Sequence, residues 1–473
     1  MLFNSYEFLV VFLPLTVLVY YALLHTGGRQ SALGWLVFAS LAFYGWWEPG
    51  HLWLIGCSLL GNYACSQLIS RSSHGTGWLV MGIGFNLALL GYYKYAGFLA
   101  DSLKAVMGLD VSAGQILLPL AISFFTFQQI GFLVDCRRGQ ARPPKLLEYL
   151  LFVTFFPQLI AGPIVQHRQV ISQFRGLSGR VPWDSVAQGV TLFSLGLFKK
   201  VVIADKLAQW ANGGFALVAD GRVVGLADAW GATLAYTFQL YFDFSGYSDM
   251  ALGLGALFGI RLPVNFDSPY KATSIAEFWN RWHITLSHFL RDYLFRPLGG
   301  SHRRHPVTTS RNLLITMTMC GLWHGAGWLF VLFGATHGLL MSLHHYWRLH
   351  LRNRIGWRIP RSIAWLLTFG SFALTLVLFR SNSVAAAAQM YQALLGLQAS
   401  PSGNGLLGWG DWSRILLLFP IVLCTPNAVR LVYDETPTWR WRLQPAYAAM
   451  AAAMVTWCLL RLNDNSEFLY FHF

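Results

Sequence analysis

Charge is scarce in this sequence. Asp, Glu, Lys and Arg make up 11% of its 473 residues, where an ordinary soluble domain carries roughly 25%, so too few polar side chains remain to clothe a watery surface. Cysteine is sparse as well: Cys57, Cys65, Cys136, Cys320, Cys424 and Cys458 are scattered, form no CxxC and mostly lie inside apolar runs. That pattern argues for packing and against a disulfide framework or a thiolate cluster. The sequence also has no HExxH motif, no GxSxG elbow and no glycine-rich phosphate loop, so no metal site or permanently bound cofactor is expected. Its opening, MLFNSYEF, carries neither a basic n-region nor a small-residue cleavage site, which predicts a retained first helix and not a removable signal peptide.

What is present is apolar. Hydrophobic residues make up 55% of the chain, and long runs recur: Phe8–Leu24, Leu33–Trp47, Leu52–Ile69, Trp78–Tyr93, Ile363–Phe379, Ile415–Val432 and Tyr447–Leu460. Each is near the length that crosses a hydrocarbon core of about 30 Å. Backbone groups in lipid must be satisfied within the segment, and these runs lack the alternation of barrel strands. The expected fold is therefore an all-α polytopic integral membrane protein, read as one continuous domain over 1–473 because no linker, repeat or low-complexity tract interrupts it. The net charge of +14 lies in short loops between runs, where it acts as a topology signal and not as a nucleic-acid footprint.

Arg29 and Arg71 follow the first and third runs, whereas the loop Glu48–His51 after the second has no Lys or Arg; this alternation places the N-terminus outside and the basic loop Arg137–Lys145 inside. Leu146–Val165 is basic on both flanks and contains FFPQLIAGP, so a bent or re-entrant segment is expected there, sheltered by protein or a cavity. CGLWHGAGWLF, Cys320 to Phe330, is flanked by Arg303, Arg304 and Arg311 before it and by Arg348, Arg352, Arg354, Arg358 and Arg361 after it. Both flanks then face the cytoplasm, and the segment goes in and comes back. Thirteen residues at 1.5 Å each carry the chain roughly 20 Å from Arg311 to His324, so this histidine lies deep in the bilayer, beside a turn made flexible by Gly325 and Gly327.

An ionisable group at that depth marks a pathway or a catalytic site, unless it is a neutral imidazole bonded to a neighbouring helix. The small-residue setting, which leaves room for a substrate, and the flanking Trp323 and Trp328 favour the first reading. So does a second polar block, EFWNRWHITLSHFLRDY, Glu277 to Tyr293. Helical spacing there pairs Glu277 with Arg281, His283 with Ser287 and His288 with Asp292, and sets Arg281 and His288 two turns apart. Histidines suit proton transfer near neutral pH, which makes His324 and His283 the candidate catalytic pair and Trp323, Arg281, Ser287 and Asp292 the candidate substrate-binding residues. YFDFSGYSDM, Tyr241 to Met250, places Asp243 and Asp249 in another apolar region, where a proton relay or cation site is conceivable but fixing the fold by hydrogen bonds to backbone and hydroxyls is the expected role.

These blocks, together with MLFNSYEFLVVFLPL, ILLPLAISFFTFQQI, FFPQLIAGPI, GLWHGAGW and the closing FLYFHF, resemble the membrane-bound O-acyltransferase superfamily over nearly the whole chain. The resemblance is to its bacterial branch of alginate O-acetyltransferase membrane subunits, which also includes subunits acetylating cellulose and stands beside the D-alanyl transfer proteins of teichoic acid synthesis. It implies about 11 transmembrane helices with re-entrant and short horizontal helices around a central tunnel, in the inner membrane. The family's near-invariant histidine falls on His324 and its second active-site histidine on His283. The implied chemistry has His324 acting on the acceptor hydroxyl, the donor being acetyl-CoA or an acyl-carrier thioester. His283 then orients the donor or stabilises the oxyanion, a task also open to a backbone N–H near Gly325. The implied partners are a periplasmic acetyltransferase and a polysaccharide synthesis and secretion complex. Two other readings compete: D-alanyl transfer to teichoic acid, and a secondary transporter, for which no inverted repeat of broken helices is visible.

Overall fold

A computed structural model describes residues 1–108, 114, 116–301, 305–398, 405–434, 441, 444–462 and 468–469, with Arg354 and Ile355 described for backbone only. Arg303, Arg304 and Tyr470–Phe473 of the sequence reading lie outside these. The described residues are helical, without a strand, and five stretches are long and apolar enough to cross a membrane: Glu7–Thr26, Pro49–Arg71, Gly75–Met107, Trp183–Ala219 and Arg361–Arg380.

The chain forms two compact units. The first comprises Met1–Leu197, Tyr247–Val264 and Trp441–Leu462. Its helices join through buried polar pairs, as expected where lipid offers no competing partner: Asn62 and Asn86 exchange amide hydrogen bonds of 2.6 and 3.3 Å, and the Tyr149 hydroxyl donates to Gln129, which donates to Ser58. Gly189 and Gly253 pack so closely that a Cβ on either would strike the other's carbonyl. The bent segment expected over Leu146–Val165 is two short helices, Leu146–Thr154 and Phe156–Leu159, broken at Phe155 and buried throughout from Leu151 to Val165. Pro157 removes a donor just beyond the break and explains why the helix cannot run through.

The second unit, Phe198–Gly246, Asn265–Arg440 and Asn463–Phe473, holds the residues of interest. In chain order its helices are α1 (Asp205–Ala219), α2 (Leu226–Leu257, of which the part to Gly246 lies here), α3 (Ile275–Arg281), α4 (Ile284–Leu290), α5 (Pro306–His324), α6 (Trp328–Tyr346), α7 (Arg361–Arg380), α8 (Val384–Leu394) and α9 (Trp409–Cys424). The run Ile415–Val432 is not one helix: α9 stops at Cys424 because Pro426 biases Thr425 to an extended conformation, and a separate turn follows from Ala428 to Tyr433. Phe238, Tyr270, Phe278, Trp282, Phe369 and Phe372 make the aromatic core between α2, α3 and α7, with Phe278 and Phe372 only 4.2 Å apart.

α5 and α6 form the expected hairpin, two 19-residue helices joined by Gly325-Ala326-Gly327. Its glycines serve close packing. A Cβ on Gly321 would overlap the Phe330 carbonyl and the Gly334 backbone, one on Gly334 would overlap the Met317 carbonyl, and one on Gly325 would enter the Phe330 ring. Gly325 and Gly327 have extended backbones, φ −160° and −173°, which any residue adopts. The room read around His324 as substrate space is in this part filled by α6 itself.

Candidate active site

His324 is the last residue of α5, at the tip of the hairpin. Its ring packs against Trp323 at 5.0 Å, Phe379 of α7 at 5.3 Å and Phe333 of α6 at 6.2 Å, and Cys320 Sγ, one turn back, lies 4.0 Å from Nε2. Only 5% of the residue is exposed.

His283 reaches the same place by a different route. Helical spacing suggests one helix from Glu277 to Tyr293, but the backbone breaks: α3 ends at Arg281, Trp282 is extended, and His283 takes the left-handed conformation with φ 42° and ψ 54° before α4 starts. Such a conformation in a side chain with a Cβ costs of order 1–3 kcal/mol and persists only where the surroundings impose it. They do so through Asn265. Its Oδ1 meets the backbone N–H of Thr285 at 3.3 Å, the Thr285 hydroxyl at 3.0 Å and His283 Nδ1 at 3.0 Å, while Ile284 N–H donates to the Asn265 carbonyl at 3.0 Å.

These contacts fix a tautomer. A backbone N–H can only donate, so the Asn265 atom facing it is oxygen, and His283 Nδ1 must be the protonated ring nitrogen. Nε2 is then the acceptor nitrogen of the neutral imidazole. The fully buried His283 ring stands edge-on to Phe244 at 4.8 Å, and 6.0 Å from Trp323. Trp323 thus contacts both imidazoles, and the structure brings together three of the residues read from the sequence: His324, His283 and Trp323.

The others have partners elsewhere. Arg281 pairs with Glu277 at 3.0 Å and with Asp267 at 3.8 Å; Ser287 donates to the Trp279 carbonyl at 3.0 Å; Asp292 pairs with Arg291 and Arg296, both at 2.9 Å. His288 is exposed. Asp243 is bound at 2.7 Å to Lys200, which also binds Asp205 at 2.8 Å. Of the closing FLYFHF, Phe468 lies under the Lys200 ammonium at 4.7 Å and Leu469 N–H donates to Asp243 at 3.2 Å, a physical account of why this motif is there.

Sequence reasoning missed two residues. Asn265 lies 18 positions before His283, outside any helical spacing, and only its place in RLPVNFDSPY next to the polar block hinted at it. His337 of α6 is fully buried; Trp279 Nε1–H donates to its Nδ1 at 3.3 Å, and its Nε2 meets the Thr375 hydroxyl at 3.0 Å, which itself donates to the Phe372 carbonyl. That relay ties α3, α6 and α7 together beside the His324 contact residue Phe333, 4.6 Å from the His337 ring.

Asp267, two residues after Asn265, anchors the loop. Arg430 binds it through two hydrogen bonds of 2.7 Å, Asn427 donates to it, and its N–H donates to the Arg281 carbonyl. Burial pushes the Asp267 carboxyl up, but the hydrogen bonds and charge of Arg430, with Asn427 and Arg281, outweigh this and hold it below the ordinary carboxylate value.

Between α3, α6 and α7 the second unit holds a cavity of about 940 Å³, lined at one end by Arg348, Arg352, Arg358 and Arg361 and further in by Asn280 and Ser371.

A peptidoglycan O-acetyltransferase of Helicobacter pylori is 39% identical to this chain, over 100% of the chain and 98% of that protein. The chain belongs to the membrane-bound O-acyltransferase family. The profile of that family matches residues 137–369 of this O-acyltransferase, a span that contains both histidines and Asn265. A probable alginate O-acetylase AlgI of Pseudomonas putida is 40% identical over 87% of this acyltransferase and 81% of its own length. A teichoic acid D-alanyltransferase of Streptococcus thermophilus is 32% identical over 48% of the chain and 57% of its own length.

Proposed function

We propose that this acyltransferase, working as one membrane domain in the inner membrane with its N-terminus outside, moves an acetyl group from a cytoplasmic thioester donor to O-acetylate an extracellular polysaccharide, directly or through a periplasmic partner acetyltransferase. The observation that carries the reading is the pair of buried imidazoles around Trp323, one of them with its tautomer fixed. The relatives named above as acetylases act on alginate or peptidoglycan by name, and support an acetyl group and a cell-envelope polymer; the acceptor proposed is of alginate or cellulose type.

In this reading the acceptor oxygen attacks the thioester carbonyl while His324 takes its proton, the C–S bond breaks, and the thiolate leaving group carries the proton away. A neutral His283 protonated on Nδ1 presents an acceptor nitrogen, so it orients a hydroxyl or amide N–H and does not serve an oxyanion. Apolar walls of Phe244, Phe333 and Phe379 keep water from hydrolysing the donor. The arginine-lined cavity suits a donor that carries phosphates, which favours acetyl-CoA or a phosphopantetheine thioester entering at that end. The charge flanks of the α5–α6 hairpin support a cytoplasmic position for that end.

The test is acetyl transfer by the purified protein in nanodiscs, supplied with labelled acetyl-CoA, and polymer-bound acetyl in cells. Loss of both in folded His324→Ala is expected; unchanged transfer would remove the catalytic assignment.

A further inference from the structure

A separate cavity of about 250 Å³ lies within the first unit. Three segments wall it: the last two turns of the helix Leu13–Thr26, the loop 176–182, and the residues just past the end of α2. Two apolar stretches of crossing length meet there, since Glu7–Thr26 ends beside the cavity and Trp183–Ala219 begins beside it. The ends of such stretches lie at the lipid headgroups, and Trp183, 71% exposed, sits as an interfacial aromatic does. The cavity is therefore at headgroup level.

Its charge has one sign. Arg180 and Arg261 line it from different segments, and no acidic residue is among its described lining residues. Arg180 is exposed and has no polar partner among the described residues. Arg261 is fixed through its backbone: the Gln173 side chain accepts from its N–H at 2.8 Å and donates to its carbonyl at 2.9 Å. Arg29 brings a third guanidinium to the rim. It donates to the carbonyl of Arg175, next to the lining residue Gly176, and its Nε–H is buried without an acceptor among the described residues. Arg175 itself is matched by Glu148 at 2.9 Å.

The end of a helix ordinarily repels an anion, because its last carbonyls point outward with partial negative charge. At α2 hydroxyls cover those carbonyls: Ser185 donates to Ala256 at 3.0 Å, Tyr21 to Leu257 at 2.7 Å and Tyr20 to Phe258 at 3.0 Å. The arginines are left to set the field, above an apolar floor of the Tyr20 and Tyr21 rings and Leu24.

We infer that this cavity binds the phosphate headgroup of an anionic phospholipid. Basic pockets between membrane helices recognise such headgroups, and the guanidinium fork matches phosphate oxygens. Arg180 and Arg261 hold the phosphate, and the acyl chains run down the helix Leu13–Thr26, where Leu15 and Leu18 are exposed. A free phosphate ester carries the same charge but makes no use of that floor or that helix face, which favours the lipid.

The test is native mass spectrometry of the full-length protein in detergent, titrated with phosphatidylglycerol or with zwitterionic phosphatidylcholine of the same chains. The wild type binds phosphatidylglycerol at least about ten-fold more tightly, the scale set by a pair of arginines at an anionic headgroup. Arg180→Glu loses that preference, and so does Arg180→Gln combined with Arg261→Gln. Arg180→Glu melts as wild type in phosphatidylcholine nanodiscs, as expected of an exposed side chain without partners. Arg168→Gln, which removes an exposed arginine outside the cavity, keeps the preference, and millimolar glycerol 3-phosphate displaces no lipid. Equal binding of the two lipids by the wild type, or a preference retained in Arg180→Glu and in the double variant, overturns the inference. Equal loss in Arg168→Gln overturns it too, as diffuse attraction to a basic surface. Displacement by glycerol 3-phosphate makes the site one for a free phosphate ester and overturns the lipid assignment.

Discussion

His283 donates its Nδ1–H to the side-chain oxygen of Asn265 at 3.0 Å, across 18 positions of sequence. That one contact sets the proton on the ring, and the same oxygen holds the two Thr285 donors that fix the left-handed corner on which His283 stands.

Asn265 is therefore a positioning residue with a kinetic signature. Asn265→Ala should lower kcat of acetyl transfer by about 10²-fold, the scale of loss when a group that orients the substrate is misplaced. Asn265→Asp keeps an acceptor for all three donors and adds a charge that favours the imidazolium, so it should retain more activity than Asn265→Ala and shift the pH–rate profile upward. A profile unchanged in Asn265→Asp, with Asn265→Ala as active as wild type, would show that the contact does not matter to the reaction.

The hairpin makes a paired prediction within one motif. Gly321→Ala forces a methyl into the Phe330 carbonyl and the Gly334 backbone, whereas at Gly327 the nearest atom to an added Cβ is 3.6 Å away and the backbone is extended. Thermal unfolding of the purified protein should show Gly321→Ala destabilised by about 1–3 kcal/mol and Gly327→Ala within about 0.5 kcal/mol of wild type.

At the arginine-lined cavity, Arg348→Glu combined with Arg361→Glu should raise KM for acetyl-CoA at least ten-fold while kcat at saturation stays near wild type, the pattern of lost ground-state binding. A fall in kcat with unchanged KM would place the donor elsewhere.

Acid should loosen the Asn265 loop. The Asp267 carboxyl is held below its ordinary value in the fold, so its contribution is complete above the unfolded value, about pH 4, and is lost as pH falls through the lower folded one. Asp267 and Arg430 are both partly exposed, which limits the contribution to under about 1 kcal/mol. Asp267→Asn should accordingly lose a little stability at pH 7 and less at pH 3, measured by thermal unfolding at both; an equal loss at the two values would rule out the ionised carboxylate as the cause.

The sequence by itself determined what composition and spacing can carry. Scarce charge and repeated apolar runs require a helical membrane protein, basic residues on both sides of CGLWHGAGWLF require that segment to turn back, and His324 falls at the turn because the distance from Arg311 says so. Both histidines stand out in the sequence for the same reason, as polar residues inside apolar runs. Their relation does not. EFWNRWHITLSHFL contains no glycine or proline to announce a break, and helical spacing carries straight through it; only the Asn265 oxygen, arriving from a distant loop, offers the donors at Thr285 and His283 enough to offset a left-handed residue and stop the helix there. The glycines of the hairpin tell the same story in reverse. They read as flexibility and room, and tertiary packing uses them for contact, because the missing Cβ atoms are what lets the two helices approach. Local sequence chose the side chains. Long-range hydrogen bonds and close packing chose the nitrogen that carries the proton and the ring that separates one imidazole from the other.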